Sequence, residues 1–289
     1  MTEAADLGSF LKARRAALDP RDLGLPEGAT RRRVAGLRRE ELAQLAGMSV
    51  DYYTRLEQGR ARNVSDAVLD ALARALRLTA DETTYLRNLA RSQRRRPVRR
   101  PQRVRPEILQ LLDAMRGVPA MVFGRRCDVL AWNALGGAIA FDFASVPPQE
   151  RNVARLFFLE EATARGLHPE WEQLAEEVVG NLRAAAGHDP DDPELARLVG
   201  EVSAHSAVFR RLWNSHSVQE KANGVKRIRN PVAGDLVLRY ETLLLPDDPT
   251  QALITYTAEP GSESERNLRL LASWVAERPA QAALRAAGG

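Results

Sequence analysis

Apolar positions recur every three or four residues through the first third of the chain. Leu7, Phe10, Leu11 and Leu18 predict a helix over 6–18, ended by Asp19-Pro20. Leu42 and Leu45 mark a second helix from Arg38 to Ala46, and Gly47, free to take positive φ, breaks it. Ser49 caps a third helix, Val50 to Gln58, which Gly59 closes. Ser65 caps a fourth, with Val68, Leu69, Leu72 and Leu76 inward. Thr79-Ala-Asp-Glu82 is a capping box for a fifth, over 80–93.

Beyond residue 105 both periods occur. Pro119–Phe123 and Asp128–Trp132 read as short strands around the turn Gly124-Arg-Arg-Cys127, and Asn133–Phe141 reads as a helix. Val153–Leu159 is apolar without a clear period. Glu170–Ala186 (Trp171, Leu174, Val178, Leu182 inward) and Pro193–Asn214 (Leu195, Leu198, Val202, Phe209, Leu212, Trp213) predict longer helices. Then the period falls to two, in strands Val225–Arg229, Asp235–Leu245 and Ala252–Ala258. In the middle one Leu236, Leu238 and Tyr240 share a face opposite Val237, Arg239 and Glu241. Pro246-Asp-Asp-Pro249 turns it into the last strand as an antiparallel hairpin. An amphipathic helix over Glu263–Ala276 completes the pattern. The expected fold class is α + (α+β): five helices over 1–93, a linker over 94–105, and over 106–280 an antiparallel sheet with flanking helices.

Charge sharpens the division. The 289 residues carry 42 Lys/Arg and 38 Asp/Glu, a net of only +4. Residues 1–105 hold 23 basic and 13 acidic residues, a net of +10; the remaining 19 and 25 leave the rest at −6. A basic half joined to an acidic half points to a polyanion partner for the first. Arg91–Arg105 has eight Arg, two Pro and no acid, so it is expected to be extended, either as a solvated linker or as an arm tracking phosphates. No apolar run approaches the roughly 20 residues of a membrane span, and the acidic N-terminus lacks the order of a signal peptide. The expectation is a cytoplasmic protein, nucleoid-associated when on DNA, with no membrane partner.

The second and third helices with their glycine-containing turn are the parts of a helix-turn-helix. Ala43 supplies the small residue for a close crossing. Tyr53 and Leu56 face the core, which leaves Val50, Asp51, Tyr52, Thr54 and Arg55 for the outer face and the end that enters a major groove. Thr54 suits a thymine methyl or a phosphate, and Arg55 guanine or phosphate. Tyr52 offers a flat face and a hydroxyl. Asp51 either accepts from cytosine or supports a neighbouring Arg.

Gly36-Leu-Arg-Arg-Glu-Glu-Leu-Ala-Gln-Leu-Ala-Gly-Met-Ser-Val-Asp-Tyr-Tyr-Thr-Arg-Leu-Glu-Gln-Gly-Arg60 resembles the signature of the Xre/Cro repressor superfamily. More narrowly it resembles the actinobacterial MmyB-like regulators, which share the long basic loop, here 19–37. The resemblance implies a five-helix domain binding double-stranded DNA, with Val50–Arg55 at base edges and Arg39, Ser49 and Thr54 near phosphates. Arg60 completes the DNA-binding set, and Glu57 anchors the helix internally. In the second half, Val129-Leu-Ala-Trp-Asn133, His168-Pro-Glu-Trp171, Phe209–Val218, Asn230-Pro-Val-Ala-Gly234 and Tyr256–Gly261 resemble the MmyB-like ligand-binding domain, of PAS-like layout. Asn230 stands where His is common there, and Ser217 where Asp is common.

The resemblance implies a sensor of a small apolar ligand, a fatty acid being one candidate. The candidate contacts are Trp132, Phe157, Phe158, Trp213, His216 and Tyr240, each with a plainer alternative. The aromatics are equally at home in a core. His216 either holds a carboxylate or caps a helix C-terminus. Asn133 is expected to cap a helix.

Other functions fare poorly. His168, His188, His205 and His216 have no metal spacing, and no phosphate loop or nucleophile elbow occurs, so no metal, cofactor or catalytic residue is expected. The single cysteine, Cys127, excludes an internal disulfide framework. Arg125 and Arg126 beside it are placed to lower its pKa for redox sensing, although a spectator thiol is the simpler reading. The expected protein is a homodimeric DNA-binding regulator, its second domain either a sensor or a dimerisation module alone.

Overall fold

The computed structural model describes residues 7–23, 36–61, 64–92, 102–216, 218 and 222–277. Arg31–Arg33, Arg94–Arg96 and Ser217, and with them most of the basic loop and the Arg/Pro linker, lie outside the described residues. The chain divides into two compact units, one from Met1–Val98 and Val179–Glu220, the other from Arg99–Val178 and Lys221–Gly289. Residues 106–280, expected as one domain, thus contribute to both.

The first unit opens with the five expected helices: α1 (Leu7–Ala17), α2 (Arg39–Leu45), α3 (Val50–Glu57), α4 (Asp66–Ala75) and α5 (Ala80–Ser92). Their ends are fixed locally. Ser65 Oγ accepts from the Val68 amide at 3.4 Å. Thr79 and Glu82 form the expected capping box, Thr79 N to Glu82 Oε2 at 2.9 Å and Glu82 N to Thr79 Oγ1 at 3.2 Å. Phe10, Leu11, Leu37, Leu42, Ala43, Tyr53, Leu56, Leu69, Leu72, Leu76 and Leu86 are buried in one core.

Residues 179–220 add the end of α10 (Trp171–His188), then α11 (Pro193–His205) and α12 (Ala207–Asn214). The expected single helix over Pro193–Asn214 is two. Ser206 ends the first and caps the second, its Oγ accepting from the Phe209 amide at 3.1 Å. Ala184 and Val218 belong to the same core as α1–α5. Gly187 is needed there: a Cβ would overlap the buried ring of Tyr85. Arg183, fully buried, lays its guanidinium 4.3 Å over the Trp213 ring and donates to the Trp213 carbonyl.

The second unit begins with α6 (Pro106–Ala114). A five-stranded antiparallel sheet follows: β1 (Ala120–Phe123), β2 (Val129–Trp132), β3 (Asn223–Asn230), β4 (Gly234–Leu245) and β5 (Asp248–Ala258), in the order β2-β1-β5-β4-β3. The alternation expected in β4 is present, with Leu236, Leu238 and Tyr240 buried and Val237, Arg239 and Glu241 exposed. β5 starts earlier than expected, since Leu245 already pairs with Asp248 and leaves a two-residue turn.

Cross-strand pairing sorts the faces. Met121 pairs with Trp132 and with Ile254, and Tyr240 with Tyr256, so these side chains share one face. Ala120, Val122, Ala131 and Leu253 point the other way and pack with Ile108 and Leu112 of α6. α7 (Gly136–Ile139), α8 (Val153–Phe158) and α9 (Glu161–Leu167) lie between β2 and α10 in sequence, and α13 (Glu263–Glu277) follows β5.

Two expectations change here. The helix over Asn133–Phe141 shrinks to the single turn of α7, whose N-cap is Leu135 rather than Asn133; Asn133, two residues earlier, accepts at Oδ1 from the Gly136 amide at 2.7 Å and the Ala120 amide at 3.1 Å. The unassigned stretch Val153–Leu159 is α8, capped by Asn152.

Candidate DNA interface and ligand site

The α2–turn–α3 segment is built from local rules. Gly47 takes φ +65°, and the Met48 amide reaches back to the Ala43 carbonyl at 3.0 Å, closing α2. Ser49 then opens α3, its Oγ accepting from the Tyr52 amide at 3.2 Å. Gly59, at φ +66°, ends it, with the Arg60 amide on the Arg55 carbonyl at 2.9 Å. Ala43 is fully buried, as a close crossing of α2 and α3 requires.

Tyr53 and Leu56 turn inward. Ser49, Val50, Asp51, Arg55 and Arg60 are exposed, and Tyr52 and Thr54 are half-buried. Val50, a β-branched apolar residue, is 40% exposed at the start of α3. The Arg55 guanidinium lies 5.7 Å from the Tyr52 ring centroid, which holds both on one face.

Glu57 fastens this helix from behind. Its side chain is 2% exposed and accepts from Arg15 Nε at 2.7 Å, Arg39 Nε at 2.6 Å and Tyr53 Oη at 2.8 Å. Burial alone would raise its pKa, but the bonds from Arg15, Arg39 and Tyr53 hold it below the usual carboxylate value. Arg39, expected near phosphates, therefore spends one nitrogen on Glu57 while its side chain stays 46% exposed.

The expected ligand contacts fall into two groups. In the second unit Trp132, Phe157, Phe158 and Tyr240 are all buried. Trp132 meets Phe143 at 5.4 Å, Phe143 meets Phe141 at 6.3 Å, and Phe141 meets Phe157 at 5.9 Å, measured between ring centroids. Phe158 packs edge-on to Trp171 at 5.9 Å. Tyr240 lies 6.3 Å from Tyr256, with Lys226 Nζ 4.7 Å over its ring. Gly224 opposite it leaves the room this needs, since a Cβ there would come within 2.9 Å of the Tyr240 ring. Trp213 and His216 belong to the first unit. Trp213 stacks on Phe209 at 5.7 Å and under Arg183. His216 takes φ +55° just past α12, its Nδ1 2.9 Å from the Asn214 carbonyl, as a C-terminal cap would be.

One buried polar residue of the aromatic cluster is not among those the sequence singled out. His168, at the end of α9, stacks on Phe157 at 5.1 Å and approaches Phe141 at 5.8 Å. The motif His168-Pro-Glu-Trp171 drew attention to the segment but not to the residue.

Asn230, where His is common, is structural: its Nδ2 donates to the Ala138 and Ile139 carbonyls at 2.8 and 3.1 Å, and its Oδ1 accepts from the Val232 and Ala233 amides. For Cys127 the structure speaks against the redox alternative and with the spectator reading. Burial and the adjacent Asp128 push its thiol up to about 12, against a smaller opposing effect of Lys226, and Arg126 is paired with Asp128 at 3.1 Å. Such a thiol is poorly ionised at neutral pH.

Among the described residues no His/Cys/Asp/Glu group of metal-binding geometry occurs, and no helix is long and apolar enough to cross a membrane. Two family models match the chain. Residues 6–86 match a helix-turn-helix domain, and residues 104–271 match the MmyB-like transcription regulator ligand binding domain. No curated protein matches.

Proposed function

The chain belongs to the MmyB-like transcription regulators and is a DNA-binding regulator with a ligand-binding domain; from that premise we propose that it is a cytoplasmic, non-enzymatic homodimer that reads its operator with α3 and senses a small apolar metabolite. The observation that carries the DNA reading is the exposed start of α3, capped by Ser49 and anchored from behind by Glu57. Val50, Asp51, Tyr52, Thr54 and Arg55 lie at base edges and Arg39, Ser49 and Thr54 near phosphates, with Arg60 in the same DNA-binding set. A dimer places two such helices on half-sites about one helical turn apart.

The apolar character of the ligand rests on the buried rings around Phe141. A fatty acid is one member of that class. Ligand acts by binding one arrangement of the regulator more tightly than another, and operator DNA then changes ligand affinity by the same factor.

Selection of bound sequences from random duplex DNA, with native mass spectrometry of the purified protein, tests the reading. A palindromic consensus and a dimer carrying an apolar small molecule are expected. A monomer on an unsymmetrical site overturns the dimer. A dimer that no extracted metabolite releases from DNA favours a second domain that only dimerises.

A further inference from the structure

The first unit buries two arginines in opposite ways. Arg15 has a counter-charge: its N–H groups go to the Glu57 carboxylate and the Leu37 carbonyl. Arg183, fully buried where residues 179–220 pack on α5, faces no carboxylate among the described residues. Its guanidinium meets only the Trp213 ring, the Trp213 carbonyl and the Tyr85 hydroxyl. Burial pulls its pKa down, and the hydroxyl offsets this only in part. A buried cation without a counter-charge is unfavourable, and parting the surfaces that enclose it returns it to water.

The rest of this seam is narrow. Gly187 lets the Tyr85 ring come close to its backbone, and Ala184 and Val218 are the buried apolar residues that the segment adds to the head core. At the outer edge His188 Nε2 lies 3.3 Å from Asn88 Nδ2. A cavity of about 40 Å³, large enough for a water molecule, interrupts the packing beside them. The seam nevertheless reaches the DNA-reading helix. Tyr85 packs edge-on to Phe10 of α1 with ring centroids 5.1 Å apart, and α1 carries Arg15, which holds Glu57 at the end of α3.

We propose that residues 179–220 are a releasable brace on the DNA-reading head: docked on α5 they stiffen the α1–α3 core for operator binding, and buried Arg183 is the point at which they let go. Arg183 is a positioning residue, acting on α3 through Tyr85, Phe10 and Arg15. The link to the operator rests on the reading of α3 as the DNA-binding helix; release of the brace does not.

Native-state hydrogen exchange of the full-length protein in low urea tests this. Amides of α11, α12 and the last turn of α10 are expected to exchange through an opening with a weaker urea dependence than those of α1–α3, about tenfold more often than the whole unit unfolds. Exchange of both groups through one global opening overturns the proposal without any variant. Arg183→Met fills the site without the charge and is expected to slow the opening roughly threefold. Tyr85→Phe removes the hydroxyl that supports the charge and is expected to speed it roughly threefold, an effect that vanishes when Arg183→Met is also present. A faster opening in Arg183→Met makes the arginine a fastener and overturns its role as the release point. Saturation with the duplex recovered by random selection is expected to slow the wild-type opening about tenfold, because docking and DNA binding favour one another. An unchanged opening overturns the coupling to DNA. If no duplex is recovered, the operator reading falls, while exchange in the free protein still decides whether the brace releases.

Discussion

Arg15 and Glu57 stand 42 residues apart in the chain, yet Arg15 Nε and Glu57 Oε1 are 2.7 Å apart in the core of the DNA-reading unit. Arg15 Nη1 also donates to the Leu37 carbonyl at 2.5 Å, so one side chain ties α1 to α3 and to the segment entering α2. Glu57→Ala leaves Arg15 buried without its counter-charge. A loss of about 3–5 kcal/mol in urea unfolding is expected. Because the folded carboxylate has a pKa below its ordinary 4.5, the stabilisation is complete above that value and fades as pH falls through the lower, folded one. The gap between wild type and Glu57→Gln should therefore close in acid; a gap constant from pH 7 to 3 contradicts the assignment.

The proposed operator contact puts Arg55 at a base edge rather than on phosphate. Arg55→Ala is expected to cost about 1–3 kcal/mol and to relax preference at one base pair. Binding-site selection with the variant checks this. Equal loss on every sequence would make Arg55 a phosphate contact.

His168 makes folding stability depend on mild acid. Its pKa is about 4 when folded against 6.5 when free, so the unfolded chain takes up the proton first as pH falls. The stabilisation is whole above pH 6.5 and is lost as pH drops from there toward 4, by about 3 kcal/mol in total. Unfolding midpoints across that window should fall more steeply for the wild type than for His168→Phe.

Gly187→Ala inverts the usual rule. Alanine normally stabilises a helix interior by about 1 kcal/mol over glycine. Here the new methyl overlaps the buried Tyr85 ring, so a net loss of about 1–3 kcal/mol is expected. Thermal unfolding of the single variant and of its pair with Tyr85→Ala measures it; the smaller residue should remove the clash.

What was legible followed from how local each signal is. The five N-terminal helices carry their own stops and starts in Ser49, Ser65, Thr79 and Glu82, and those caps are present. The alternation of β4 was equally plain because one of its faces is buried. Ser206 could have been read as a cap dividing α11 from α12, but an apolar stripe running through both concealed it. Trp213 shows the harder limit. Periodicity says that a side chain turns inward, not which core receives it, and Trp213 lies in the unit of Arg183 and Phe209. His168 was illegible for a related reason. Its neighbours Phe141 and Phe157 come from other segments, and only the fold brings the three rings together.

The DNA-reading unit is discontinuous in the chain, with Ala184 and Val218 completing a core begun at Leu7. During synthesis the ribosome must release some 220 residues before that core can close. A chain cut in the linker would leave Tyr85 and its neighbours uncovered, a mark for proteases rather than a free DNA-binding head. The order of segments along the chain thus disfavours a free DNA-binding fragment: by the time the head is whole, the first segment of the second unit, Arg99–Val178, has already been made.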